Sequence, residues 1–133
     1  MKLSKIRFRL RRLNEESIKL MAIFMGRKPM LRGGVYRAVS KCGKPNCVCV
    51  REGKLHVAWR FYWTEGGKTL NRVLSKSEVD YYQRLTRNYQ RFRRARARLV
   101  KIHKAMIELI DILEQGMTKE SVKGYVKRSR DGK

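Results

Sequence analysis

The sequence predicts an α+β fold, mostly α. Three observations predict it: apolar residues at steps of three and four near the start, an aromatic alternation of period two in the middle, and a long arginine-rich helical pattern after residue 75. At 133 residues the chain has enough length for one modest core and reads as a single domain, 1–133. Within it the patterns mark an N-terminal amphipathic helix over 1–26, a small Cys-rich, zinc-knuckle-like β-hairpin module over 33–74, a long basic helix over 75–116 and a basic tail over 117–133.

The first element rests on Leu3, Ile6, Leu10, Leu13, Ser17, Leu20 and Phe24, which follow the spacing of one helical seam. Asn14, Glu15, Glu16 and Ser17 also have the make-up of a helix start, so one helix or two remains open. Lys2, Lys5, Arg7, Arg9, Arg11 and Arg12 precede the first acid, Glu15, in the manner of a transit peptide, yet the seam runs straight through them. Gly26, Pro29, Gly33 and Gly34 end the helical region.

The middle element is a hairpin. Val57, Trp59, Phe61 and Trp63 alternate with Ala58, Arg60 and Tyr62, and Glu65-Gly66-Gly67-Lys68 turns the chain into Thr69 to Leu74. Core packing of Trp59, Phe61 and Trp63 against a helix is favoured over base stacking.

Ser75-Lys76-Ser77-Glu78 is a capping box that opens the long helix, and no glycine or proline follows until Gly116, a candidate C-cap. The expected seam is Tyr82, Leu85, Tyr89, Phe92, Arg96, Leu99, His103, Met106, Ile110 and Leu113. The first helix can cover part of this seam. The remainder needs a second copy or a partner protein, in a helical hairpin or coiled coil, or it stays exposed. Thr118 is placed to start a last short helix before the basic Lys123, Lys127, Arg128 and Arg130.

Charge carries the functional expectation. Lysine and arginine total 34 against 11 acids, a formal charge of +23, and such a chain repels itself unless a polyanion neutralises it. Between Tyr81 and Ile107 there is no acid. Arg84, Arg87, Arg91, Arg94, Arg98 and Lys101 follow each other at three and four, each two positions after a seam residue. Two positions turn a helix by about 200°, so this row is expected opposite the packed face, with a positive group every ~5–6 Å. Arg93 and Lys104 add to it. Arginine suits forked bonding to phosphate, and solvated helix faces ordinarily mix signs. Along the chain acids return with Glu108, Asp111, Glu114 and Glu120, a segregation that assigns the far end to protein packing.

Cys42-Gly43-Lys44-Pro45-Asn46-Cys47-Val48-Cys49 and the later His56 supply three thiolates and an imidazole, a tetrahedral set for structural zinc. Three reduced thiols without metal is the alternative. His103 reads as a packed or interface histidine rather than a ligand. An odd cysteine number with no distant partner argues for a reducing, cytoplasmic compartment and against a secreted disulfide framework. No apolar run is long enough for a spanning helix, and the apolar face that lipid needs is committed to the seam.

The string Cys42-Gly43-Lys44-Pro45 with Cys47 and Cys49, the aromatic hairpin with Gly66-Gly67-Lys68, and the long basic helix resemble an uncharacterised family of small bacterial and archaeal proteins with a C-G-K-x-x-C-x-C signature. The resemblance covers roughly 33–113. Members have His-Gly-Pro before the aromatic strand, where this chain has His56-Val57-Ala58. The resemblance implies no activity, and it implies DNA transactions near mobile elements.

The expected function is non-enzymatic nucleic-acid binding, a phosphate grip by the arginine-rich helix, with DNA favoured over RNA. The alternative is a structural RNA-binding subunit of a ribonucleoprotein particle. Asp80, Asp111 and Asp131 are too far apart in sequence to suggest a catalytic metal site, which speaks against a nuclease.

Overall fold

The computed structural model describes residues 2–40, 53 and 55–131. It is α+β and mostly helical, with elements α1 (Leu3–Met25), β1 (Gly34–Ser40), β2 (His56–Glu65), β3 (Lys68–Leu74) and α2 (Lys76–Asp131) in chain order. The chain divides into two compact units: Met1–Gly26 with Arg94–Lys133, and Arg27–Arg93.

The first unit is a pair of helices. On α1 the expected seam holds throughout: Ile6 is fully buried, and Leu3, Leu10, Leu13, Ser17, Leu20 and Phe24 are half-buried. The helix is continuous through Asn14, and the Ser17 hydroxyl donates to the Asn14 carbonyl at 2.7 Å, so the residues that looked like a helix start sit inside a helix. Leu3 packs on Gly116 and Glu16 meets Arg98. Chain numbers rise on one helix as they fall on the other, so the pair is antiparallel.

The seam of α2 differs from the expected one in this unit. Ala95, Ile102 and Leu109 are buried, and Arg96, His103 and Ile110 are exposed. Both phases satisfy a three-and-four spacing and both retain Leu99, Met106 and Leu113, so periodicity does not separate them. Burial does: the chosen phase sequesters small or aliphatic side chains, while the other would bury a guanidinium and an imidazole.

Gly116 does not end the helix, which continues to Asp131. The residue serves a close approach instead. A Cβ there would collide with Leu3 Cδ2 and lie 3.4 Å from two more Leu3 carbons, so the ~1 kcal/mol that glycine costs a helix interior allows Leu3 to pack on the backbone. Thr118 opens no new helix; its hydroxyl bonds back to the carbonyls of Glu114 at 2.9 Å and Gln115 at 3.0 Å. The expected tail is therefore helical as far as Asp131.

The second unit is an antiparallel meander, β1-β2-β3, with the opening turns of α2. Gly66 and Gly67, at φ 56° and 79°, join Glu65 to its partner Lys68; two positive φ values are what a two-residue hairpin turn of this hand demands. Phe61 is buried, stacks on Trp63 at 5.3 Å and meets Tyr82 of α2 at 5.2 Å. The aromatic face is thus core at Phe61 and half-buried at Trp63. Trp59, further along, is 37% exposed.

Gly33 is required by its neighbours, since a Cβ there would lie 2.7 Å from the Phe61 ring. The α2 stripe of Leu85, with half-buried Tyr82, Tyr89 and Phe92, is the expected one. The approach segment is tied to it by Leu31 N–H donating to the Leu85 carbonyl at 3.1 Å and by Asn88 Nδ2 donating to the Pro29 carbonyl at 2.9 Å. Half of the capping box forms: the Glu78 carboxylate accepts from Ser75 N–H at 3.1 Å and from the Ser75 hydroxyl at 3.0 Å.

Candidate nucleic-acid interface

All eight cations of the expected set lie on α2 and are exposed: Arg84, Arg87, Arg91 and Arg93 in the sheet-bearing unit, and Arg94, Arg98, Lys101 and Lys104 in the helical pair. In the sheet-bearing unit, at ~100° per residue, Arg84, Arg87 and Arg91 fall about 100–160° round the helix from Leu85. They form a strip away from the packed stripe, as their spacing implies. Arg87 also lines a shallow depression with Gly34, Tyr36, Gln83 and Gln90, which sets a guanidinium beside an exposed tyrosine ring.

In the helical pair the shifted seam changes the geometry. Arg98 lies about 60° from Ala95 rather than opposite the contact, at the edge where α1 passes. Its Nε and Nη2 donate to the two oxygens of Glu16 at 2.9 and 2.8 Å. This fork holds the Glu16 carboxyl below its usual range, chiefly through the hydrogen bond and then through the guanidinium charge, and holds the Arg98 proton more tightly. The expected row was free of carboxylates because none lies near it in sequence; here one arrives from another helix. Among the described residues Arg98 is the one member of the eight with an ion-pair partner.

The same edge carries cations that the sequence reading did not assign. Arg12 and Lys19 of α1 line one depression with Arg98, and Arg9 and Arg12 line a neighbouring one with Glu108 and Ile112. Their signal was present: Lys5, Arg9, Arg12, Glu16 and Lys19 follow each other at four and three, each one residue ahead of a seam residue. In sequence they read as N-terminal charge, and on the helix they are a row. The start of α1 adds to this. Lys2 at its N-cap makes no side-chain cap bond and the first turn holds no acid, so Lys5 and its neighbours stand at the positive pole of the helix, where each cation is unfavourable by ~0.3–1 kcal/mol and an anion is favoured.

The three cysteines, Cys42, Cys47 and Cys49, lie outside the described residues. His56 is exposed at the first position of β2, where it pairs in register with Ser40, the last residue of β1. It therefore stands at the stem of the segment that carries the cysteines.

A family model described as Domain of unknown function (DUF6788) matches residues 3–84. The chain belongs to this family. The DUF6788 match takes in α1, the sheet and the first turns of α2, where the resemblance read from the cysteine string had been placed over 33–113. Arg84 is the last residue matched, so the other cations of the expected set lie past the DUF6788 region. No curated protein and no solved structure matches the chain. None of the described helices is long and apolar enough to cross a membrane.

Proposed function

We propose that this DUF6788 protein is a non-enzymatic nucleic-acid-binding protein that grips phosphate backbone, DNA in preference to RNA. The observation that carries the reading is the display of exposed cations on α2 in both units, joined in the helical pair by Arg9, Arg12 and Lys19 of α1. The carboxylates lining that edge are Glu15, Glu16 and Glu108, and of these Glu16 pairs with a member of the expected set, Arg98. A solvated face would interleave signs at three and four spacing, and forked donors match phosphate oxygens. Arg84, Arg87, Arg91, Arg94, Lys101, Arg93 and Lys104 supply backbone contacts. Arg98 supplies them in exchange for its bond to Glu16. The link to mobile elements that the resemblance of the cysteine string implies favours DNA as the polyanion. We further propose a structural zinc held by Cys42, Cys47, Cys49 and His56. The place of His56 at the stem of the cysteine segment supports it.

The test is titration of nucleic-acid-free protein against duplex DNA, single-stranded DNA and structured RNA of equal length at two salt concentrations. Submicromolar duplex binding is expected, with each phosphate contact contributing ~0.9 to the salt slope and with a shallower slope after Arg87, Arg91 and Arg94 are changed to alanine. Tight binding confined to structured RNA would select the ribonucleoprotein subunit instead. Absence of binding to all three would overturn the proposal. For zinc, purified protein is expected to carry one equivalent, and to lose it in the Cys47→Ser variant.

A further inference from the structure

The helical pair buries little. Ile6 and Ile102 are the fully buried side chains of its seam, and large apolar groups remain outside it. Val100 is 56%, Ile107 58% and Ile110 43% exposed. Together with Arg96, His103 and Glu114 they make a second stripe on α2, again at steps of four and three, about 100° round the helix from the Ala95, Ile102 and Leu109 stripe. On α1, Ile18 is 63% and Met25 72% exposed, and they lie about 100° from the Ile6 seam in the same rotational sense. In an antiparallel pair, equal rotations on the two helices point to one side. That side carries the exposed apolar residues, with Arg7 and Arg11 of α1 at the same angle. The opposite edge is the one lined by Arg9, Arg12, Lys19 and Arg98.

We infer that this apolar side is covered by a second copy of the chain, α2 lying antiparallel on α2 about a two-fold axis midway between His103 and Ile107. Charge selects this occupant. The stripe begins on a cation, Arg96, and ends on an acid, Glu114. Antiparallel self-pairing about that axis sets Arg96 opposite Glu114, Val100 opposite Ile110 and His103 opposite Ile107, each contact made twice as an isologous interface requires. A parallel copy would set Arg96 on Arg96 and Glu114 on Glu114. An anionic lipid surface would meet Glu114 and Asp111 beside the apolar residues of α2 and be repelled there. The product is a four-helix arrangement of two α1 and two α2 segments, the usual way for two-helix units to bury an outer apolar face. This inference does not depend on the nucleic-acid reading.

The test is the mass of the full chain, freed of nucleic acid, by sedimentation equilibrium over a range of protein concentrations. Wild type is expected to be a dimer. Arg96→Glu and Glu114→Arg are each expected to raise the dimer dissociation constant at least about tenfold, by turning two attractive contacts into two repulsive ones, and the double exchange to restore it. Both positions are exposed, so helicity by circular dichroism should be unchanged, and Ile107→Glu provides a second disruption that needs no ion pair. A wild-type monomer at all concentrations would overturn the inference, as would single exchanges that leave the dimer intact or a double exchange that fails to restore it. A monomer that sediments with anionic vesicles would assign the apolar side to lipid instead.

Discussion

Arg98 is the residue at which the charge pattern and the fold diverge. By spacing it belongs to the row of cations proposed to grip phosphate, and by packing it belongs to Glu16, 2.8 Å away. The pair sits in solvent, where such contacts hold weakly and yield to a stronger anion. Glu16→Gln is therefore expected to release the guanidinium. Affinity for duplex DNA should rise and the salt slope steepen by ~0.9, whereas Arg98→Ala in the parent should weaken binding less than Arg94→Ala does. Titration of the three variants checks this ordering. Gly116 poses the complementary case, a residue chosen for what it lacks. Gly116→Val is expected to destabilise the helical pair by ~1–3 kcal/mol through overpacking against Leu3. Leu3→Ala should relieve part of that loss, so a double-mutant cycle in urea should give a coupling of opposite sign to the single effects.

At the scale of elements, α1 was legible almost residue by residue, because its seam offers one apolar phase. The Gly66-Gly67 hairpin was legible because the turn type dictates its residues. The α2 seam was half legible. Leu85, Tyr89 and Phe92 stood where the spacing put them, but past Phe92 two phases share Leu99, Met106 and Leu113, and only contact with α1 chooses between Ile102 and His103. Ile102→Ala is accordingly expected to cost ~2–5 kcal/mol in denaturant unfolding. Of the proposed site, the exposure of the α2 cations was legible. The α1 row was missed because its members were read as terminal charge, and the partner of Arg98 is 82 residues away in sequence, beyond any local pattern. The start of α2 carries a pH dependence. Hydrogen bonds from Ser75, and then Arg72, hold Glu78 below the usual glutamate value of 4.5, and Glu16 is lowered likewise. A carboxylate depressed in the folded state stabilises fully above its unfolded value. That stabilisation is lost as pH falls through the folded one. Melting temperature should therefore decline below about pH 4.5, less steeply in a Glu78→Gln variant, as a thermal scan across pH would register.

For the molecule as a whole, a formal charge of +23 is repulsion stored in the folded state and relieved by counterions. The melting temperature is expected to rise between ~0.05 and ~0.5 M salt, with a Debye length shrinking several-fold over that span. A calorimetric scan at the two concentrations measures it. One feature of chain order bears on how such a molecule is made. The helical pair draws one strand of its seam from Met1–Gly26 and the other from Arg94 onward, with the entire sheet-bearing unit between them. During synthesis α1 leaves the ribosome before α2, and at roughly 5–20 residues per second it waits some seconds for its mate. Throughout that interval Ile6, Leu10 and Leu13 are uncovered, next to Lys5, Arg9 and Arg12, on a nascent chain beside ribosomal RNA. The sheet-bearing unit can mature in the meantime from residues already made. The basic edge and the side that carries Val100, Ile107 and Ile110 come into being late and together, at the moment α2 folds back upon α1.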